Sequence, residues 1–199
     1  MTATPSPDLA VEEDGVARCR WGASSPEYRA YHDQEWGRPV HGDQEIFEKL
    51  SLEAFQSGLA WITILRKREG FRAAFDGFDP VRVAAYGPGD VERLMADAAI
   101  VRNRAKIAAT VANSRAVLAL LDADGPGALD RMFWSYRPAR HPRPHSSADI
   151  PATTPESVAL AKALRKAGFA FVGPTTAYAA MQALGVVDDH LAGCVAAQP

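Results

Sequence analysis

The sequence predicts an all-α fold, and three observations support that prediction. Apolar residues recur at helical spacing, most clearly from Ile100 onward, where Ile107, Val111, Leu118 and Leu121 share one helix face. Residues that typically begin helices recur along the chain, often followed by proline. No stretch alternates apolar and polar residues with β-branched side chains, so strands are not expected.

The other helices are predicted mainly from the residues that begin them. A short polar side chain at the start of a helix accepts a hydrogen bond from a free backbone amide, and proline fits the next position. Such starts lie at Ser25-Pro26, Asp43, Asp79-Pro80 and Asp90, and a further helix is expected to open at Trp61. Residues 137–151 contain four prolines and two histidines and predict a long loop.

Composition indicates a single globular domain. The chain has 199 residues, of which 47% are hydrophobic and 23% are charged, values typical of a folded domain. We expect a disordered leader over residues 1–16, which are rich in proline, serine and acids, and one compact domain over residues 17–199. The leader lacks the pattern of a signal peptide, no run of 18 apolar residues occurs, and there are two cysteines. These observations favour a cytoplasmic protein with no membrane association.

The overall charge gives no sign of a nucleic-acid partner. Net charge is −2, with 22 basic and 24 acidic residues. Four of the acids lie in the leader, so the remainder carries a small positive charge. Any DNA-binding surface must therefore be a local patch.

A pair of helices joined by a tight turn is predicted over residues 153–185. Thr153 or Thr154 can cap the first helix, which is expected to stop at Gly168. The turn GFAFVG ends at Gly173, and Pro174 fits the first position of the second helix. This arrangement is the pattern of a helix–hairpin–helix.

Two interpretations of this hairpin remain open from the residues alone. Gly173 and the free amides of Thr175 and Thr176 could hold a DNA phosphate, with Arg165 and Lys166 adding positive charge nearby. Alternatively, the segment is an ordinary helical pair whose glycines only end and begin helices.

The two cysteines each have a histidine close by in the sequence. Cys19 is followed by His32, and His190 precedes Cys194 by four residues. Two thiolates and two imidazoles form a full tetrahedral set for Zn²⁺, which leaves no open position and so predicts a structural metal. The alternative is two buried free cysteines with unrelated surface histidines.

Aromatic residues surround an isolated carboxylate. Trp21, Tyr28 and Tyr31 cluster near one another in sequence, and Glu53 lies in an otherwise apolar helix ahead of Trp61. A glutamate on the core face of a helix is unfavourable unless it is paired or functional. Glu53 is therefore expected to lie either at an exposed edge of the helix or in a functional site. The alternative for the aromatic residues is that they only pack in the hydrophobic core. With basic groups at 66–68 and 102–106, they fit an enzyme that extrudes a base from DNA.

Several stretches together resemble the DNA-3-methyladenine glycosylase I family of the helix–hairpin–helix superfamily. The resemblance spans residues 18–194 and is carried by CRW at 19–21, YRAYHDQEWG at 28–37, LEAFQSGLAWITILRKRE at 52–69, FRAAFDGFDP at 71–80, IVRNRAKI at 100–107, GFAFVGPTT at 168–176 and DDHLAGC at 188–194. It implies a monomeric enzyme that flips N3-methyladenine out of double-stranded alkylated DNA and hydrolyses its N-glycosidic bond, leaving an abasic site.

The resemblance also implies roles for individual residues. Glu53 would hydrogen-bond the methylated base, and Tyr31 and Trp61 would stack on it or flank it. Trp21 and Tyr28 match further pocket aromatics, and Leu59 lies where the family probes the gap left in the duplex. A structural zinc, joining the N- and C-terminal segments, would be bound by Cys19, His32, His190 and Cys194.

Asp188 and Asp189 follow the hairpin at a distance that invites confusion with a catalytic aspartate. The family that this chain resembles does without that residue. Because Asp189 adjoins His190, we expect it either to have a structural role or to support the metal site. Two rival functions are a non-catalytic helix–hairpin–helix DNA-binding module, which gives no reason to bury Glu53, and a zinc hydrolase, which needs an open metal position.

Overall fold

The computed structural model describes residues 6–196 and is helical over most of its length. No helix in this part of the chain is long and apolar enough to cross a membrane. The elements are β1 (Leu9–Val11), β2 (Ala17–Cys19), α1 (Pro26–Gln34), α2 (Asp43–Gln56), α3 (Trp61–Ala74), α4 (Pro80–Ala84), α5 (Pro88–Ala96), α6 (Arg104–Asp124), α7 (Ala128–Ser135), α8 (Pro155–Lys166) and α9 (Pro174–Ala183).

Helix α2 is the centre of the fold and contacts α3, α6, α7 and α9. Its predicted apolar face is buried: Phe47, Leu50 and Phe55 are fully inaccessible to solvent. Burial of each such side chain contributes about 1.5–3 kcal/mol. A helix held on this many sides gives a fixed position to any functional residue that it carries.

The N-terminal segment is part of the fold, which corrects the prediction of a disordered leader for residues 9–16. Strands β1 and β2 form an antiparallel pair in which Leu9 lies opposite Cys19. The buried Arg18 guanidinium forms salt bridges with Glu12, Asp14 and Asp33. Glu12 and Asp14 of the predicted leader therefore compensate a buried charge. The expectation of no strands was also wrong for this segment. Residues 1–5 lie outside the described residues.

Most predicted helix starts are confirmed, and one is reassigned. The side chains of Ser25 and Asp79 cap α1 and α4. Asp43, however, does not cap its own helix: its carboxylate accepts hydrogen bonds from the amides of Gly127 and Leu129 at 2.6 and 2.9 Å. It therefore caps the start of α7, a tertiary contact that local sequence cannot indicate. The predicted start at Asp90 is wrong by two residues: α5 begins at Pro88, and the Asp90 carboxylate accepts a hydrogen bond from the amide at position 87.

Helices α8 and α9 form the predicted hairpin. Thr154 caps α8, and Pro174 is the first residue of α9. Gly168 has φ +95°, a conformation that favours glycine. The turn between the helices is held by Asn113 of α6, whose side-chain amide accepts from the Ala170 amide at 2.7 Å and donates to the Ala170 carbonyl at 3.1 Å. The hairpin is thus fixed to the longest helix of the described fold.

Candidate functional site

A cavity of about 280 Å³ lies between α1, α2, α9 and the start of α3. It combines aromatic rings with a few polar side chains, which is the usual composition of a small-molecule site. Its lining residues are Trp21, Tyr28, Tyr31, Trp36, Glu53, Gln56, Trp61, Ala179 and Gln182. All five residues that the sequence predicts for base recognition therefore line one cavity.

Glu53 is 6% exposed and lies on the central helix. Burial raises the pKa of its carboxyl to about 8, while the nearby Lys49 ammonium partly opposes the shift. Among the described residues, its carboxyl forms no side-chain hydrogen bond. A buried carboxyl without a partner is unfavourable for stability alone, so its position favours a role toward a ligand.

Two aromatic side chains pack beside this carboxyl. The rings of Tyr31 and Trp61 lie 5.3 Å apart between centroids. Burial, followed by the repulsion of Glu53, raises the pKa of Tyr31 well above its usual value, so its hydroxyl stays protonated. The indole nitrogen of Trp61 is buried without a hydrogen-bond partner among the described residues. The cavity therefore presents polar atoms that the protein itself does not satisfy.

Trp21 joins the cavity to a second cluster, formed by cysteines and histidines. Its ring packs edge-on against Tyr28 at 5.6 Å and against His32 at 5.0 Å. On the far side, Cys19, His32 and Cys194 place one ligand atom each within 4.8 Å of one another, and all three are buried. These three residues lie close enough to bind a metal ion, and two thiols with an imidazole are donors that suit zinc.

His190 differs from the other three predicted metal ligands. It is buried, and its ring packs edge-on against that of His32 at 4.7 Å. Its Nε2 lies 3.3 Å from the backbone carbonyl of His32, and it is not in the group of three within 4.8 Å. The reading of unrelated surface histidines is wrong for both rings, since each is at least 99% buried.

Carboxylates orient both imidazoles through Nδ1. Asp33 contacts His32 at 2.7 Å, and Asp188 contacts His190 at 2.6 Å. The supporting role at His190 belongs to Asp188, whereas Asp189 has the structural role that was the other expectation for it. The Asp189 carboxylate accepts hydrogen bonds from α9 and contacts His141 of the loop at 137–151.

The thiols of Cys19 and Cys194 are buried and lie within 4.8 Å of one another, so the protonation of one affects that of the other. A hydrogen bond between them, and burial, raise the pKa of Cys19, while the same bond lowers the pKa of Cys194 to about 4. His32 has a raised pKa: burial opposes the rise, but Cys194 and Asp33 outweigh it. One thiol is thus already disposed to be a thiolate, which is the form that ligates a metal.

The hairpin and the turn before α3 carry the predicted DNA-contacting residues. Arg165, Lys166, Gly168 and Thr175 are exposed, while Gly173 and Thr176 are half-buried. No side chain of residues 6–196 caps the N-terminus of α9, so its first amides are available to an anion. Leu59 is 40% exposed on the turn between α2 and α3, next to the cavity.

The two basic groups expected to support DNA binding are largely occupied by protein contacts. Arg66 pairs with Glu27, and Arg68 makes two short contacts with Glu35. Lys106 is buried, and its ammonium donates to the backbone carbonyls at positions 55 and 57, at 2.9 and 2.7 Å. It therefore fixes the end of α2 and the turn that carries Leu59, which a lysine in a basic run does not suggest.

The site also contains residues that sequence reasoning did not assign to it. Trp36, five residues after Tyr31, is one of them. Gln56 lies three residues after Glu53, hence on the same helix face, a signal that could have found it. Ala179 and Gln182 reach the cavity from α9, and no local signal predicts that. A helical hairpin beside an aromatic cavity with a buried carboxyl defines the class of base-excising helix–hairpin–helix proteins.

Comparison with known proteins agrees with this class. Residues 21–197 match the methyladenine glycosylase family. The chain is 47% identical to DNA-3-methyladenine glycosylase 1 of Escherichia coli strain K12 over 181 residues, covering 90% of this chain and 96% of that protein. It is 43% identical over 182 residues to DNA-3-methyladenine glycosylase of Haemophilus influenzae, covering 90% of this chain and 97% of that protein.

Solved structures give the same result. A crystal structure of 3-methyladenine DNA glycosylase I has a TM-score of 0.84 at 47% identity, covering 89% of this chain and 98% of that one. The Staphylococcus aureus enzyme, whose structure concerns recognition of 3-methyladenine, has a TM-score of 0.84 at 33% identity, covering 90% of this chain and 95% of that one. The chain belongs to the methyladenine glycosylase family.

Proposed function

We propose that this protein is a monofunctional DNA glycosylase that hydrolyses the N-glycosidic bond of N3-methyladenine in alkylated duplex DNA and leaves an abasic site. The observation that carries the proposal is the buried, unpartnered carboxyl of Glu53 in an aromatic cavity. A non-catalytic DNA-binding module has no use for such a group, because DNA backbone binding requires positive charge at the surface.

The chemistry needs little activation of the leaving group. A base methylated at N3 carries positive charge in DNA, so its glycosidic bond is already weak. The protein must extrude the nucleotide, recognise the cation and exclude normal bases. Faces of Tyr31 and Trp61 attract the cation by about 1–2 kcal/mol when water is excluded, and normal adenine, being neutral, does not receive this stabilisation.

Glu53 adds charge recognition. In the free protein its pKa is raised to about 8 by burial, so the neutral acid predominates at neutral pH. A cationic base within hydrogen-bonding distance favours the carboxylate. We therefore expect binding of the lesion to release a proton from Glu53 and to create an ion pair that neutral bases cannot form.

In this proposal the α8–α9 hairpin binds the DNA backbone, and the turn before α3 inserts into the duplex. The amides of Thr175 and Thr176 at the uncapped start of α9 would bind a phosphate, with Gly173 allowing close approach and Arg165 and Lys166 adding charge. Leu59, exposed beside the cavity, would fill the gap left by the flipped nucleotide.

We further propose a structural Zn²⁺ held by Cys19, His32, His190 and Cys194. None of these four residues lines the cavity of about 280 Å³, so the ion would join the terminal segments rather than touch the substrate. This separation argues against a zinc hydrolase, whose metal must face the reacting bond. We also propose that the protein acts as a monomer in the cytoplasm.

The proposal is tested by incubating the protein with a methylated duplex and separating the released bases by chromatography. We expect free 3-methyladenine and no 7-methylguanine. Absence of any released base from folded protein would refute the activity and favour the DNA-binding module.

A further inference from the structure

We propose that Gln182 selects adenine lesions over guanine lesions, and that Asp189 is the positioning residue that fixes its orientation. This inference rests on the proposed function and deepens it. Gln182 lies on α9 and lines the cavity, together with Ala179 one turn earlier. It thus approaches a bound base from an element other than α2, which carries Glu53.

The orientation of the Gln182 side chain is determined by its partner. Its amide nitrogen donates to the Asp189 carboxylate at 2.6 Å. A carboxylate oxygen only accepts hydrogen bonds, so the nitrogen end of the amide must face Asp189 and the oxygen end must face away. Gln182 Oε1 accepts no hydrogen bond from any described residue. The amide oxygen is therefore the hydrogen-bond acceptor that Gln182 retains for a ligand in the cavity.

Asp189 is itself held rigidly. It is 3% exposed. The same oxygen that receives Gln182 also accepts from the Tyr178 hydroxyl at 2.7 Å, and the other oxygen lies 2.7 Å from His141 Nε2. Three groups from α9 and the 137–151 loop thus fix this carboxylate. Rotation of the Gln182 amide would break its hydrogen bond to a buried charge and leave that charge without one of its donors.

A fixed acceptor discriminates between the two purines. Adenine carries an exocyclic amine at C6 and can donate, whereas guanine carries a carbonyl oxygen at that position and cannot. An acceptor facing this edge stabilises 3-methyladenine and repels the oxygen of 3-methylguanine, since two lone pairs meet without a proton between them. Positive charge on the base, read by Glu53 and the aromatic rings, does not distinguish these two lesions.

The test measures two bases with one set of variants. Gln182→Met removes the acceptor with little change of volume. Asp189→Asn offers the Gln182 amide a partner that both donates and accepts, so the orientation is no longer fixed. Tyr178→Phe is the matched control, because it removes another hydrogen bond from the same carboxylate oxygen and leaves the Gln182 contact in place. Each protein is given duplex DNA containing 3-methyladenine and 3-methylguanine, and kcat/KM is measured for each base.

We expect Gln182→Met to lower the ratio of 3-methyladenine to 3-methylguanine excision about tenfold, equal to about 1.4 kcal/mol. Asp189→Asn should lower it in the same direction, and Tyr178→Phe should leave it unchanged. An unchanged ratio in Gln182→Met, or the same fall in Tyr178→Phe, would overturn the proposal.

A second readout is independent of catalysis. Quenching of the cavity tryptophans by free 3-methyladenine and free 3-methylguanine gives their relative affinities, and Gln182→Met should reduce the difference. If the parent protein excises neither base, the proposed function fails, whereas Gln182 is still tested by this binding ratio. Equal affinities in parent and variant would contradict the assignment of Gln182.

Discussion

The Tyr28 hydroxyl accepts a hydrogen bond from the backbone amide of Ile62 at 3.0 Å. Ile62 is the second residue of α3, where helix amides have no partner inside the helix. Tyr28 therefore caps α3 from α1 and at the same time lines the cavity. The contact fixes the start of α3, and with it the Trp61 ring that packs on Tyr31.

Tyr28→Phe should lower excision through this contact. Loss of the acceptor costs about 1 kcal/mol of stability, a fall in Tm of about 2–4 °C for a chain of this size. The excision rate should fall further, because Trp61 loses its fixed position. Tyr136→Phe removes a hydroxyl outside the cavity and is the control. Equal excision rates in the two variants and the parent protein would show that the hydrogen bond between Tyr28 and Ile62 does not contribute to activity.

The buried Glu53 makes stability depend on pH in a defined direction. Its folded-state pKa is about 8, above the ordinary value of 4.5. The folded state therefore favours the neutral acid, so stability is highest below about pH 4.5 with respect to this group and falls as pH rises toward 8.

Glu53→Gln removes this dependence and should be more stable than the parent protein at pH 8.5 by a few kcal/mol, with little difference at pH 4.5. Urea unfolding of both proteins at pH 4.5 and pH 8.5 measures this difference in the free energy of unfolding. Glu69→Gln, whose side chain is 79% exposed, should show no such change between the two pH values. A Glu53→Gln effect that is the same at both pH values would mean that the carboxyl is not held neutral by burial.

The zinc content of two variants tests whether the proposed metal site has three or four protein ligands. Cys194→Ser should lose zinc and stability, because Cys194 belongs to the group whose ligand atoms lie within 4.8 Å. His190→Ala should also lose zinc if the closed four-ligand site is correct. Elemental analysis of the purified proteins gives the answer. Full zinc content in His190→Ala would replace the closed site by one with three protein ligands.

Gly173 provides a test of phosphate binding that spares the fold. An added Cβ at Gly173 meets no heavy atom within 4 Å in the described part of the chain, so Gly173→Val should fold but hold a DNA phosphate away from the α9 amides. We expect affinity for undamaged duplex to fall about tenfold, with the salt dependence reduced by about one phosphate contact.

Gly87→Val is the matched control for that experiment. Gly87 also precedes a proline at the start of a helix, and its added Cβ likewise meets nothing within 4 Å. Any general cost of valine at such a position appears in both variants. If the two weaken DNA binding equally, the hairpin has no special part in holding DNA.

Local patterns in the sequence predicted the helices well because their causes are local. The apolar face of α2, the cap at Ser25 and the glycine that ends α8 each depend on residues within one or two turns. The strand pair at residues 9–19 was missed because its stability comes from the buried Arg18 and its acids. Hydrophobic periodicity does not predict a cluster of salt bridges around one buried arginine.

The same limit applies to the site. The sequence predicted Glu53 as a cavity residue because a carboxylate is unusual on the core face of a helix. It predicted the aromatic residues of the cavity because they lie in motifs that match the family. Gln182 and Lys106 were not assigned their roles, because each depends on a side-chain contact that follows no helical or strand periodicity. Asp43 caps a helix that begins about 85 residues later in the chain, which only the three-dimensional fold brings near.

The most direct test of the account is the single-turnover rate of 3-methyladenine release by the parent protein and Glu53→Gln, with excess enzyme on a methylated duplex. We predict release by the parent and a rate at least about tenfold lower in the variant, while zinc content and DNA affinity remain unchanged. Equal rates in the two proteins would contradict the assignment of Glu53 as the residue that reads the cationic base.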